Sequence, residues 1–140
     1  MKIIEHFVEG KKYSGNSKRT SLIYNPATGE STAKVKLGST EDLNKVVEAA
    51  QKAFLDWSNT PPLQRARVLF RFKELIEKNE DELVKIIVSE HGKVYEDARG
   101  SLTRGLEVVE YACGIPQMLK GEFTENVGKN VDSWSLRQPL

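Results

Sequence analysis

Apolar residues recur at helical spacing through residues 39–113, and this long helix-forming run constrains the fold more than any other feature of the sequence. The run begins with Ser39-Thr-Glu-Asp42, a capping-box variant in which the serine is the N-cap and the acid follows three residues later. A pair of prolines and, further on, Gly92 interrupt the run, as is typical of helix starts and ends. The predicted helices run from Ser39 to the Asn59-Thr-Pro-Pro break, from about Leu63 to Lys78, over Asn79 to Gly92, and from about Tyr95 to Cys113.

Each predicted helix carries an apolar stripe that should pack against other parts of the protein. Gly100 and Gly105 lie inside the fourth helix and each costs about 1 kcal/mol relative to alanine. A close helix crossing or a ligand near the backbone would offset that cost. The predicted stripes are Leu43, Val46, Val47, Ala50, Phe54 and Trp57 in the first helix, Ala66, Leu69, Phe70, Phe72, Leu75 and Ile76 in the second, Leu83, Ile86 and Ile87 in the third, and Ala98, Leu102, Gly105, Val108, Val109 and Ala112 in the fourth.

Short strands and turns flank the helices. Residues 6–13, HFVEGKKY, predict a hairpin, residues 25–29, NPATG, predict a turn, and residues 33–37 alternate as a half-buried strand does. The tail from residue 131 alternates again and predicts a strand that ends at Pro139-Leu140, an edge that needs a partner. Because a regular βαβ rhythm is missing, we expect an α+β segment: short N-terminal strands, about four helices, then a C-terminal strand.

The composition excludes several classes of partner. Lysine and arginine total 21 against 20 aspartate and glutamate, so no basic excess indicates binding to nucleic acid or to an anionic membrane. No stretch approaches the ~20 apolar residues of a membrane helix, and the start lacks the apolar run of a signal peptide. A single cysteine in 140 residues fits a reducing compartment. We therefore expect a cytoplasmic protein that binds neither nucleic acid nor membrane.

The cysteine, the histidines and the glycines of this sequence do not by themselves indicate a catalytic, metal-binding or phosphate-binding site. Cys113 lies at the edge of an apolar stripe without a neighbouring histidine or helix N-terminus, so we expect a structural residue rather than a nucleophile. His6 and His91 lie on different elements without acidic or cysteine partners at ligand spacing, so no metal site is predicted. No glycine-rich loop matches the spacing of a dinucleotide or phosphate site.

Arg104 differs from the other charged residues of the fourth helix. Helical geometry places it about 100° from the centre of the predicted stripe, with Gly100 one turn before it and Val108 one turn after it. An arginine at such a boundary either pairs with an acid of a neighbouring helix or holds a carboxylate ligand through two hydrogen bonds. The residue pattern leaves both interpretations open, and ion pairing or packing is the commoner outcome.

Several stretches resemble a known family. YNPATGE (24–30), STEDLNKVVEAAQKAFLDW (39–57), RARVLFRFKELIEKNEDEL (65–83) and EHGK (90–93) are similar to the N-terminal part of the aldehyde dehydrogenase superfamily. The later run from DARGSLTRGLEVVEYACGIP to RQPL (97–140) resembles the CoA-acylating branch of that superfamily, the methylmalonate-semialdehyde dehydrogenases. The resemblance covers essentially the whole chain.

The resemblance implies an α/β aldehyde dehydrogenase fold and a defined reaction. Enzymes of this branch oxidise malonate or methylmalonate semialdehyde with NAD through a cysteine thioester, lose carbon dioxide and pass the acyl group to CoA, as in valine catabolism. The products are acetyl-CoA or propionyl-CoA. The resemblance also implies a homotetramer, built as a dimer of dimers, and a substrate-carboxylate contact for Arg104. Gly100 and Gly105 would then thin the helix beside the substrate tunnel.

Because the family is several times longer than this chain, the resemblance also implies a fragment. Residues 1–122 would form the N-terminal helical part of the cofactor-binding domain, and residues 123–140 would begin the oligomerisation arm. The Rossmann core, the catalytic domain, the catalytic cysteine and the NAD-binding residues would follow position 140. We therefore expect the chain alone to lack catalytic residues and to be inactive, with an exposed apolar face.

Two alternatives stay open. The chain could belong to another NAD(P)-dependent aldehyde dehydrogenase, one that acts on an uncharged aldehyde without CoA. It could also be a stand-alone, non-enzymatic helical module that pairs with full-length subunits. If Arg104→Ala loses activity with carboxylated and neutral aldehydes equally, the first alternative is favoured. If the purified chain neither self-associates nor binds a full-length homologue, the second alternative fails.

Overall fold

The structure, a computed structural model, describes residues 1–138. The predicted end of the C-terminal strand at Pro139 and Leu140 lies outside the described residues. The strands are β1 (Lys2–Ile4), β2 (His6–Val8), β3 (Lys11–Tyr13), β4 (Thr20–Tyr24), β5 (Ser31–Lys36), β6 (Phe123–Gly128) and β7 (Val131–Trp134). The helices are α1 (Thr40–Asn59), α2 (Pro62–Lys78), α3 (Glu80–His91), α4 (Tyr95–Cys113) and α5 (Ile115–Met118). Within residues 1–138, no helix has both the length and the apolar character that a membrane crossing requires.

The described residues form two compact units. The first comprises residues 1–59 and 81–100, and the second comprises residues 60–80 and those from 101 onward. The first unit therefore contains the strands that precede α1 together with nearly all of α3, whereas the second contains α2, α5 and the strands β6 and β7. Helix α4 begins in the first unit and ends in the second.

A three-stranded sheet in the order β1-β5-β4 forms the base of the first unit. In this sheet β1 pairs parallel with β5, where Ile3 lies opposite Lys34, and β4 pairs antiparallel, where Leu22 lies opposite the same lysine. The predicted strand at residues 33–37 is thus the central one, with Ala33 buried and Lys34 exposed as the alternation requires. Leu37, expected on the inner face, lies beyond the end of β5 and is exposed.

Two predicted turns are confirmed by backbone angles that few side chains adopt. Glu9 and Gly10 join β2 to β3 with φ angles of 51° and 76°, the combination that matches the twist of a two-residue hairpin. Gly92 has a φ of 78° and ends α3, where its N–H donates to the Val88 carbonyl at 2.9 Å. Local sequence therefore sets these chain reversals.

The buried carboxylate of Asp42 joins α1 to the preceding strands. The predicted capping box forms: the Ser39 N–H donates to the carboxylate at 2.9 Å, and the Asp42 N–H donates to the serine hydroxyl at 3.2 Å. The Tyr13 hydroxyl and the Asn16 N–H donate to the other carboxylate oxygen at 2.7 and 2.8 Å. The bond from Tyr13 is the largest of the contributions that hold the pKa of Asp42 well below its usual value, followed by those from Ser39 and Asn16.

The second unit contains a helix and a strand that the sequence analysis missed. Helix α5 follows α4 directly after Gly114 and packs against α2. Strand β6 pairs antiparallel with β7, placing Phe123 opposite Trp134. The predicted C-terminal strand thus has a partner from the same chain. The alternation of β6 is interrupted at Asn126, whose φ is 53°, and this irregularity conceals the strand in the sequence.

Packing among the described residues buries only part of the predicted apolar stripes of the helices. In α1 the predicted stripe residues Leu43, Val46 and Val47 are all exposed. In α3 the fully buried residue is Val84, and the prediction that Ile86 faces inward was wrong because it lies about 160° around the helix from that valine. The extensive exposed apolar surface agrees with the expectation that other protein surface covers these helices.

The Asp42→Asn substitution should lower the melting temperature by several degrees at neutral pH, because a neutral amide is a weaker acceptor for the four N–H and O–H donors that bond to the carboxylate. The native pKa lies below the unfolded value of about 3.9, so the stabilisation is present above that pH and is lost as the pH falls through the native pKa. The difference from wild type should therefore narrow below about pH 4. Thermal melts followed by circular dichroism at several pH values measure it.

Glu48→Gln is the matched control, because it removes one carboxylate charge from an exposed position of the same helix. It should change the melting temperature little at any pH. A difference between Asp42→Asn and wild type that stays constant into acid would contradict the role assigned to the ionised carboxylate.

Candidate functional site

Arg104 lies in the middle of α4, in the part of the helix that belongs to the second unit. Its side chain is exposed, and within residues 1–138 its guanidinium makes no hydrogen bond or ion pair. Glu107, the nearest acid along the helix, stands three residues later but does not pair with it. The N–H donors of this planar group are therefore available to a ligand.

Helix α4 is buried on one side only. Ala98 is fully buried and Leu102 is half-buried, whereas Val108 and Tyr111 are 67% and 73% exposed. At about 100° per residue, Arg104, Val108 and Tyr111 lie within about 60° of one another around the helix axis. A cation, an aliphatic group and an aromatic group thus form one exposed row, a combination that suits a small organic anion.

The predicted stripe of α4 was wrong at two positions. Gly105 and Val108 are exposed, whereas Leu106 and Cys113, which the prediction left off the stripe, are half-buried. The centre of the buried side is therefore rotated, and Arg104 lies about 140° from it rather than about 100°. The arginine is directed further away from the packed side than the sequence indicated.

Gly105 borders the exposed row and has no close neighbour. A Cβ added at this glycine would meet no atom within 4 Å. Within the part of the chain that the structure describes, no helix crossing offsets the helix-propensity cost of about 1 kcal/mol. The open backbone leaves room beside Arg104 for another molecule or another part of the protein.

Two other cations, one on α2 and one on α4, have acidic partners. Lys73 of α2 contacts Glu77 in its own helix and lies 3.5 Å from Glu110 of α4. The hydrogen bond with Glu77 is the largest contribution that raises the pKa of Lys73, and Glu110 adds to it. In α4, Arg99 lies 3.7 Å from Glu96. Within α4, Arg99 therefore has an acidic partner and Arg104 has none among the described residues.

The remaining residues considered in the sequence lie in separate elements. Cys113 is a half-buried free thiol at the last position of α4. His6 lies in β2, and His91 is the last residue of α3. Residues 1–138 contain no group of three or more histidine, cysteine, aspartate or glutamate side chains that could hold a metal ion.

A cavity of about 360 Å³ in the first unit was not predicted. The ring nitrogen Nε2 of His6, one of its lining residues, is buried without a partner among the described residues. Tyr13 and Asp42, also in its wall, are bonded to each other across 29 positions of sequence, a separation that no local pattern reveals. These groups serve the junction of strands and helix, so we assign the cavity no chemistry. Its walls are formed by His6, Tyr13, Gly38, Ser39, Asp42, Leu43 and Val46.

The described residues do not fit a dinucleotide cofactor. Such cofactors bind where a glycine-rich turn connects a strand of a parallel sheet to a helix. The parallel strands here, β1 and β5, are separated by a hairpin and an antiparallel strand, and the loop from β5 to α1 contains one glycine, Gly38. No step that involves such a cofactor is therefore assigned to these residues.

Comparison with known proteins gives consistent matches. The aldehyde dehydrogenase family model matches residues 13–140. A malonate-semialdehyde dehydrogenase of Pseudomonas aeruginosa is 49% identical over 140 residues, and a mitochondrial acylating methylmalonate-semialdehyde dehydrogenase of Arabidopsis thaliana is 42% identical over 137 residues. A solved structure, a proposed methylmalonate-semialdehyde dehydrogenase of Sinorhizobium meliloti 1021 complexed with NAD, matches with a TM-score of 0.93 at 46% identity.

The matches cover nearly all of this chain but a minor part of each relative. The P. aeruginosa comparison covers 100% of this chain and 28% of the relative, and the A. thaliana comparison covers 98% and 23%. The comparison with the solved structure covers 100% of this chain and 28% of the S. meliloti chain. The chain thus spans about a quarter of the length of these relatives, at their N-terminal end.

The Gly105→Ala substitution should raise the free energy of unfolding by about 1 kcal/mol, because alanine favours the helix and its methyl group meets open space. Gly92→Ala is the contrasting control, since its φ of 78° is strained for alanine and the new Cβ would lie 3.1 Å from Pro26. It should lower the free energy of unfolding by about 1–2 kcal/mol. Urea unfolding measures both changes, and a loss of stability for Gly105→Ala would contradict the open environment described.

Proposed function

The chain belongs to the aldehyde dehydrogenase family, and on that premise we propose that it is the N-terminal segment of an NAD-dependent, CoA-acylating dehydrogenase of malonate or methylmalonate semialdehyde. The complete protein would oxidise the semialdehyde through a cysteine thioester, release carbon dioxide and yield acetyl-CoA or propionyl-CoA. The names of the relatives from P. aeruginosa and A. thaliana support this substrate class.

The unpaired guanidinium of Arg104 is the observation that carries the proposal. These semialdehydes bear a carboxylate that simple aldehydes lack, and a carboxylate removed from water needs a cation with matching donors. Arg104 offers a planar set of donors, and no acid among the described residues competes for it. We infer that Arg104 binds the substrate carboxylate through two hydrogen bonds.

In this role Arg104 binds and orients the substrate and takes no part in bond making. Fixing one end of a three-carbon chain fixes the position of the aldehyde carbon at the other end, which favours attack by a positioned nucleophile. The exposed Val108 and Tyr111 follow on the same side of α4 and would border the carbon chain of the substrate. The helix thus contributes substrate selection.

The groups that make and break bonds belong, in this proposal, to the part of the relatives that the chain does not span. These groups are the catalytic cysteine, the general base and the residues that hold NAD and CoA, so the chain alone should be inactive. The NAD complex of the S. meliloti protein supports the cofactor, and the acylating activity in the name of the A. thaliana relative supports CoA as co-substrate. Cys113 keeps a structural role.

We further propose that residues 1–122 contribute to the cofactor-binding domain and that residues 123–140 begin an oligomerisation arm. Both strands of the β6–β7 hairpin are exposed along their whole length, including the opposed pair Phe123 and Trp134. An isolated two-stranded ribbon with exposed aromatic groups needs a covering partner, which supports a homotetramer built as a dimer of dimers. The single cysteine supports a cytoplasmic location.

The Arg104→Ala substitution in the complete protein should lower kcat/KM for malonate semialdehyde by about 10- to 100-fold, the effect of losing hydrogen bonds to a charged group. Propanal, in which a methyl group replaces the carboxylate, should be oxidised at a rate within about twofold of wild type. Arg104→Lys should give an intermediate loss with the semialdehyde, because it keeps the charge but not the two-point contact. The rate of NADH formation, followed by its absorbance, measures kcat/KM for each variant and substrate.

Arg99→Ala is the control, since it removes an arginine of the same helix that already has an acidic partner. It should lower kcat/KM for malonate semialdehyde and for propanal only slightly and to the same extent. Equal losses with malonate semialdehyde and propanal in Arg104→Ala would contradict carboxylate binding and would favour an enzyme for uncharged aldehydes.

The Trp134→Ser substitution should shift the protein from tetramers toward smaller species, because it removes the aromatic group most exposed on the arm. Val94→Ser is the matched control, since Val94 is 68% exposed but lies outside the hairpin. Sedimentation velocity over a range of concentrations measures the distribution of species. Unchanged tetramers in the Trp134 variant would contradict an oligomerisation arm at residues 123–140.

A further inference from the structure

The half-buried Lys73 of α2 links that helix to Glu110 of α4 within the second unit. Its ammonium nitrogen lies 3.5 Å from a carboxylate oxygen of Glu110 and also contacts Glu77. The lysine side chain is 26% exposed, whereas both carboxylates are close to half exposed. Partial burial makes this cross-helix pair less screened by solvent than ordinary surface ion pairs.

The seam between α2 and α4 is lined by polar as well as apolar side chains, Glu77 and Thr103 among them. A gap of about 50 Å³ lies along it, bordered by Ile76 on one helix and by Leu102 and Leu106 on the other. Interdigitated side chains normally hold a helix in one orientation, and a gap at the seam removes some of those contacts. A polar contact beside the seam therefore has more influence on the orientation of α4.

Glu110 and Arg104 are both exposed and lie on different sides of α4. They are six residues apart, which places them about 120° apart around the axis and about 9 Å apart along it. A rotation of α4 that separates Glu110 from Lys73 therefore moves the arginine as well. With the guanidinium about 8 Å from the axis, a rotation of about 20° displaces it by about 3 Å.

We propose that Lys73 is a positioning residue that holds Glu110, fixes the rotation of α4 and thereby directs Arg104 at the substrate carboxylate. This inference rests on the proposed function, because it specifies what maintains the geometry of the Arg104 site. Oriented binding is sensitive to small displacements, and an error of about 1 Å can lower a rate by up to about 100-fold. A residue that touches no substrate thus influences substrate selection.

The test is Lys73→Met in the complete protein, assayed for NADH formation with malonate semialdehyde and with propanal. Methionine keeps the apolar stem of the lysine and removes the charge. We expect kcat/KM for the semialdehyde to fall about 5- to 10-fold, mainly through KM, and kcat/KM for propanal to stay within about twofold. Lys73→Arg, which keeps a cation in reach of Glu110, should restore most of the loss.

Three further variants separate positioning from general stability. Lys78→Met makes the same change at an exposed lysine of α2 and should leave both substrates unaffected. Glu110→Gln should reproduce the Lys73→Met result from the other side of the pair. In an Arg104→Ala background, Lys73→Met should change the ratio between the two substrates no further, because the group being positioned is gone.

Equal losses of both substrates in Lys73→Met would overturn the positioning role, since they would show a general loss of folded enzyme. A normal semialdehyde KM in Lys73→Met, together with an Arg104→Ala variant that loses activity selectively with malonate semialdehyde, would overturn this inference and leave the proposed function standing. An Arg104→Ala variant that loses the same fraction of its activity with malonate semialdehyde and with propanal would overturn both.

Discussion

One-sided burial of the helices is the constraint on which the rest of the structure depends. A helix that packs on one side presents its other side to a ligand or to further protein surface. In α4 the two sides are clearly separated, with Ala98 fully buried and with Arg104 exposed in a row with Val108 and Tyr111. The rotation of this helix decides whether the arginine can reach a ligand, and the charge of the arginine decides which kind of ligand it binds.

Two charged side chains differ in their partners, and the proposed function gives them different roles. The carboxylate of Asp42 is buried and accepts hydrogen bonds from Tyr13, Asn16 and Ser39, so its charge is satisfied within the fold and holds strands and helix together. The guanidinium of Arg104 has no such partner among residues 1–138. In the proposed function, this exposed cation beside the open backbone at Gly105 binds an anionic substrate.

Features set by neighbouring residues were predictable from the sequence, and features set by distant contacts were not. The bounds of α2 and α4 follow from prolines, glycines and apolar spacing, and the predicted Tyr95–Cys113 helix is the one found. The rotation of α4 differed because packing within the second unit, not periodicity alone, selects the buried side. The bond between Tyr13 and Asp42 has no local signature. The proposed role of Arg104 was first suggested by family resemblance, and the structure adds that its guanidinium has no partner among the described residues.

A crystal structure of the complete protein with 3-hydroxypropanoate, an analogue in which an alcohol replaces the aldehyde of malonate semialdehyde, tests the central claim most directly. The quantity to measure is the distance from each guanidinium nitrogen of Arg104 to the ligand carboxylate. Two contacts of about 2.7–2.9 Å are expected if Arg104 binds the substrate carboxylate. A carboxylate bound elsewhere, with Arg104 paired to an acid from another part of the protein, would contradict it.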